Sequence, residues 1–185
     1  MRTVLLLACL GVLLAGCSSG RSNTTSDWER ENAGKLAKEN EEPLPALPAL
    51  PRGENLIGFF VSSASDFRFF VDRASVEVKN KIVRYTLVAR SSNGAENITH
   101  EGINCAAGEY RVYAYGRSDG TWQSRPGPWQ EISPRSVQRW HNALRREFFC
   151  PNGVAVADAA EGIMALEKGG HPWVKPDSAG GAGSR

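Results

Sequence analysis

The sequence predicts an α+β domain: an antiparallel sheet of about six to eight short strands followed by two helices packed on it. Three observations carry this. From Leu56 to Ile132 apolar residues recur in short runs, many with a period of two. Asn93-Gly94 and Asp119-Gly120 mark tight turns, because these residue types tolerate positive φ. After Ser133 the period lengthens to that of a helix, with Val137, Trp140, Leu144 and Phe148 on one face.

The chain begins with a different kind of segment. Arg2 supplies a short positive start, and Val4 to Leu14 is an apolar run of signal-peptide length, too short to span a bilayer. It ends in Leu14-Ala15-Gly16-Cys17, which resembles the bacterial lipobox. That resemblance implies removal of residues 1–16 and acylation of Cys17, giving a membrane anchor of several acyl chains. Ser18 rather than Asp follows the anchor, which by the same resemblance favours the outer membrane. Residues 17–52 form a tether. It is small and polar at first, then a weak helix opens at Ser26-Asp27-Trp28-Glu29, where Ser26 and Glu29 form a capping box. Pro43, Pro45, Pro48 and Pro51 then favour polyproline II. Two readings of this stretch stand side by side: a spacer holding the domain off the membrane, or a strap lying along the domain.

The single domain is expected over 53–173. Leu56 to Val61 and Phe67 to Val71 read as strands, Asp72 to Ser75 as a turn, and Val76 to Val78 as a further strand. Lys79-Asn80 reads as a hairpin turn. In the next strand Val83, Tyr85, Leu87 and Ala89 alternate with Arg84, Thr86 and Arg90; Val88 breaks the pattern, so the outer face is expected to be partly covered. Asn97 to Cys105 returns, and Tyr110 to Tyr115 is aromatic and alternating. Short strands surround Pro126-Gly127-Pro128. Ser133-Pro134 reads as a helix start, Pro151 as its end, and Asp158 to Lys168 as a second helix closed by Gly169. Residues 174–185 read as a disordered tail.

Cys9 leaves with the signal and Cys17 takes lipid, so Cys105 and Cys150 remain in an oxidising compartment and are expected to form a disulfide. No metal site is expected, for want of further ligands at suitable spacing. A net charge of +2 gives no argument for nucleic acid.

Catalytic motifs fail on context. Gly16-Cys17-Ser18-Ser19-Gly20 fits G-x-S-x-G but lies on the lipobox. His100-Glu101 opens a zinc-protease pattern, but Asn104 stands where its second histidine belongs, and Gly102 and the strand context oppose a helix. His100 reads as a strand residue pairing across the sheet, His141 as a helix-flank residue, and His171 as lying near the loose end. Trp122 and Trp129 bracket the Pro-Gly-Pro loop, and Tyr113 and Tyr115 share one face of their strand. These four are candidate anchors for a partner, or, on the alternative reading, seals between sheet and helix. Arg135, Arg139, Arg145 and Arg146 read either as a solvated helix face or as a receiver for an acidic partner.

EGINC (Glu101 to Cys105), EYRVYAYG (Glu109 to Gly116), Phe148 to Pro151 and PRGENLIGFFV (Pro51 to Val61) resemble the CNP-one-like family of bacterial lipoproteins. The resemblance implies a periplasmic or membrane-anchored protein without an established activity, and it supplies no catalytic residues or cofactor. A shorter likeness, in Phe70-Val71-Asp72 and Ser75-Val76, looks like the adhesin protein E group, lipoproteins that bind host proteins.

The expected function is therefore that of a lipid-anchored, non-catalytic envelope protein, outer-membrane-anchored with its domain in the periplasm. It would contact an envelope protein or the cell wall. The alternatives are an adhesin-like surface protein and a periplasmic hydrolase. An exposed aromatic patch near Trp122 would favour contact; a deep pocket joining His100 or His141 to a carboxylate would favour the hydrolase. Metabolic labelling with a palmitate analogue should mark the protein, and Cys17→Ser should abolish the label; labelling that persists in that variant would contradict the lipobox reading.

Overall fold

The computed structural model describes residues 44–134 and 138–174, all within the compact unit Leu44–Arg185. Cys17, Arg135, Val137 and the tail lie outside the described residues. A turn of 3-10 helix at Gly53–Asn55 leads into seven strands. They are β1 (Leu56–Phe59), β2 (Phe67–Lys79), β3 (Ile82–Ser91), β4 (Glu96–Asn104), β5 (Glu109–Gly116), β6 (Trp122–Ser124) and β7 (Gln130–Glu131). β1 to β6 pair in sequence order, all antiparallel, and β7 joins β5 beside β6. Two helices follow, α1 (Arg139–Ala143), prolonged by the wide π-helical turns of Leu144–Phe149, and α2 (Ala159–Glu167). This is the α+β architecture that the change of period predicts.

The helices cover the inner face of the sheet. Val83, Tyr85 and Leu87 of β3 and Ile103 of β4 meet Leu144, Phe148, Phe149 and Leu166 in one apolar core. Tyr85 packs on Phe149 at 5.3 Å between ring centres, and Phe59 meets Phe148 edge-on at 5.8 Å. The opposite face of β3 is buried as well: Arg84, Thr86 and Val88 are enclosed alongside the inward residues. Val88 is thus covered, as its break in the alternation suggests. Part of the cover comes from the proline-rich stretch, whose Pro48 carbonyl accepts a 2.7 Å hydrogen bond from Trp122 Nε1. Leu50 closes over Gly116, where an added Cβ would stand 3.3 Å from Leu50 Cδ2 and 2.8 Å from Ile98 Cβ. Only glycine admits so close an approach.

Three local expectations are corrected. Asp72 to Ser75 is no turn: β2 runs through it as one strand of 13 residues with an irregularity between Asp72 and Glu77. Side chains replace the missing ladder there. Ser75 Oγ donates to the Asp72 carbonyl at 2.7 Å and accepts from Thr86 N at 2.7 Å, while Asp72 Oδ1 accepts from Ala74 N. The following hairpin turns on Asn80 and Lys81, with φ of 53° and 63°, one residue later than its composition suggests. Ser133-Pro134 does not open the helix either. Ile132 N still donates to the Gly108 carbonyl, which holds the chain against the sheet, and among the described residues the helix begins at Arg139, after a non-helical Gln138.

The described residues after α1 are held by a helix cap and by buried polar contacts. Asp158 caps α2 by accepting from Glu161 N at 2.9 Å, and Gly169 takes φ of 73° after it. His171 is buried, with its amide on the Glu147 carbonyl and its ring on Glu161 at 3.0 Å. Cys105 and Cys150 form a disulfide between the turn after β4 and the end of α1, with Cα atoms 5.5 Å apart. The bond closes a loop of 45 residues. Replacing both cysteines by alanine should lower stability by about 3–4 kcal/mol, as the loop-entropy model gives for that length. Denaturant unfolding of the oxidised protein and the double variant checks this.

Candidate functional site

Glu101 lies on β4 directly opposite Tyr85 of β3 and faces the core side of the sheet. It is buried to 1% exposure among groups that all donate to it. Tyr85 hydroxyl reaches Oε2 at 2.9 Å, Thr99 hydroxyl reaches Oε1 at 2.6 Å, and His141 Nε2 meets Oε2 at 2.9 Å. Thr99 stands two residues before Glu101, hence on the same strand face. His141 comes from α1, and Tyr110 of β5 stacks on its ring at 3.6 Å and 20°. Burial pushes the Glu101 carboxyl up, but the charge of His141 and the hydrogen bonds from His141, Thr99 and Tyr85 together outweigh it and hold the carboxyl below its ordinary value. The Tyr85 hydroxyl is driven well above its own by burial and by that same carboxylate.

With Glu101 ionised, His141 Nε2 carries the proton it donates. Trp140 Nε1, 3.1 Å from the same nitrogen, is then a close neighbour rather than a hydrogen-bond donor to it. Nδ1 of His141 is enclosed and has no hydrogen-bond partner among the described residues.

Above this cluster the sheet and α1 leave a cleft of about 290 Å³. Phe67, Phe69, Trp140 and Tyr115 form its aromatic walls, with Leu87 and Val112 between them. Thr99, Glu101 and His141 lie at its base. Phe67, Phe69 and Trp140 make a continuous wall, with ring centres 6.4 Å and 5.4 Å apart in turn. Among the described residues no lysine or arginine lines the cleft; Arg139 lines a separate depression that also borders Trp140. Phe67 and Tyr115 are 40% and 43% exposed, so the walls reach solvent.

The candidate anchors separate. A register irregularity in β4–β5 pairs Ala114 with His100 and Val112 with Glu101, leaving Tyr113 as the extra residue. Tyr113 is therefore buried on the outer face, against His100 and beneath Arg111, while Tyr115 stays at the cleft. Regular alternation would have put both on one face. Trp122 is half-buried, with its indole N–H on Pro48 and its ring against His100. Trp129 is half-buried in the loop between β6 and β7. His100 does pair across the sheet, opposite Thr86 and Ala114, with Nδ1 3.2 Å from Thr86 Oγ1. His141 and Trp140 exchange their expected places: the histidine points into the core and the tryptophan forms a wall. Among the described residues, no three His, Cys, Asp or Glu side chains gather as metal ligands.

The model of the CNP1-like family matches residues 35–167, a span that contains Glu101, His141 and both cysteines of the disulfide. The chain belongs to the CNP1-like family. Over 201 aligned residues it is 27% identical to Cryptic neisserial protein 1 of Neisseria gonorrhoeae, covering 95% of this chain and 98% of that one. No solved structure matches. The CNP1-like match thus spans the sheet, both helices and the cleft.

The buried histidine on the outer face makes a measurable prediction. Burial lowers His100 from 6.5 to about 4 in the fold. Between those values the unfolded chain binds more protons, so stability falls as pH falls from 6.5 towards 4, by up to about 3 kcal/mol. Glu101, lowered from 4.5, contributes stability that is present above 4.5 and is lost as pH falls below it. Denaturant unfolding across this range should show both losses, and His100→Gln should flatten the upper window alone.

Proposed function

We propose that this CNP1-like protein is a lipid-anchored envelope protein whose domain binds a small ligand in the cleft between sheet and α1 and does not transform it. The cleft is the observation that carries the reading: an open, largely aromatic recess with a few convergent polar groups at its base is the usual form of a small-molecule site. The lipobox-like Leu14 to Cys17 supports the anchor, at the outer membrane with the domain in the periplasm. The ligand then comes from the cell wall or from the exposed side chain of an envelope protein.

The pairing of Glu101 with His141 at the base is the feature that favours the hydrolase. Its geometry suits positioning better. Both carboxylate oxygens already accept hydrogen bonds, and the remaining ring nitrogen of His141 is enclosed. A general base must come within hydrogen-bond reach of the proton it removes; His141 Nε2 is committed to Glu101 and its Nδ1 is enclosed, so the histidine is poorly placed for that task. Trp122 is engaged with the chain's own Pro48, which weakens its candidacy as a partner anchor.

Uptake of the neutral fluorescent probe N-phenyl-1-naphthylamine tests the cleft. Ala89 lines it, and Ala89→Phe should fill it and abolish the fluorescence rise; Tyr115→Ala should weaken uptake about tenfold or more, as the loss of an aromatic anchor does. Unchanged uptake in both folded variants would exclude the cleft, and turnover of a supplied ester or amide lost in His141→Gln would favour the hydrolase.

A further inference from the structure

The chemistry of the cleft also narrows the ligand, and this step rests on the cleft being a binding site. We infer that the ligand is an organic cation, a protonated amine carried on an aromatic or alkyl body. Three features of the walls and base point the same way.

The first is charge. Among the described residues Glu101 is the only carboxylate in the lining, and no lysine or arginine accompanies it. An anionic ligand would lose its water and approach a buried carboxylate, and the imidazole facing it is already paired to that carboxylate. Phosphates and carboxylates are therefore poor ligands here.

The second is hydrogen-bonding sense. Thr99 and Tyr85 each have one hydroxyl proton, and both protons are spent on Glu101. The Nε2 proton of His141 is spent there as well. What these groups retain is lone pairs, on Thr99 Oγ1 and on Glu101 Oε1, which receives one donor. A base that offers acceptors calls for a ligand that brings donors, and an ammonium group is donor-only.

The third is the wall. Phe67, Phe69 and Trp140 lie in contact along one side and Tyr115 lines the cleft with them. Aromatic faces carry negative charge density and attract a desolvated cation. The same rings pack well on an apolar body, and a recess of about 290 Å³ suits a single small ring or a short alkyl chain.

The test uses the full chain with its disulfide formed and three probes of similar size. Phenethylamine is the cation, 2-phenylethanol the neutral counterpart and 3-phenylpropionate the anion. Isothermal titration at pH 7 should give an affinity for the amine about tenfold or more above that for the alcohol, and none for the acid. Thr99→Val should weaken the amine and leave the alcohol unchanged, which a general loss of fold would not do. Equal affinity for amine and alcohol, or a preference for the acid, overturns the cation class while leaving the cleft a binding site. If none of the three binds while N-phenyl-1-naphthylamine still enters, the cation class again falls alone. If the naphthyl probe is excluded too, the cleft reading itself has failed.

Discussion

A carboxylate at the centre of the sheet constrains everything around it. Burying an unpaired Glu101 would cost several kcal/mol even after relaxation, so the fold must deliver donors from more than one element. It does so from β3 through Tyr85, from β4 through Thr99 and from α1 through His141. Tyr110 of β5 then holds the imidazole flat by stacking on it. The helix cannot slide along the sheet without stranding the charge. Oily side chains such as Phe148 and Phe149 supply attraction between the layers but tolerate many offsets; the charged cluster selects one.

That selection also opens the cleft. Turning His141 inward at the start of α1 turns Trp140 aside, onto Phe69 and towards solvent. Further along, the wide turns of Leu144–Phe149 bring Phe148 and Phe149 together into the core, and the disulfide fixes the end of that segment to the turn after β4. The helix is thus closed down at its Cys150 end and held apart at its Trp140 end by aromatic walls. Wide turns of this kind are frequent at functional sites, because they displace side chains from the positions a regular helix would give them.

The other face of the sheet answers to a different constraint. Thr86, Arg84 and His100 are buried there, on the face away from α1 and α2. Polar groups in such a layer need specific partners, and they have them: Ser75 on Thr86 N, Glu77 on Arg84 and Thr86 on His100. Trp122 both covers His100 and holds Pro48, so the proline-rich stretch acts as a strap over at least this part of the layer. The two faces are separate in purpose, one sealed by the chain's approach to the sheet and one left partly open beneath α1.

The sequence by itself determined the parts of this protein that depend on local periodicity and on turn chemistry. The alternation of Val83 to Ala89, the glycines after Asn93 and Asp119, the cap at Asp158 and the stop at Gly169 each act within a few residues, and each appears in the fold. The two cysteines left for a disulfide were also legible, because few pairings were possible. The tertiary structure alone decided the site. Thr99 and Glu101 share a strand face with Ile103, a mixture that reads neither as core nor as surface, and His141 lies 40 residues away with nothing local to mark it as buried. Tyr113 and Tyr115 parted because one unpaired residue in β5 reverses the alternation, and such a slip depends on the partner strand rather than on the residues themselves. A hydrogen bond between distant residues leaves no period in the sequence, so the burial that makes Glu101 and His141 a pair appears only once the chain has folded around them.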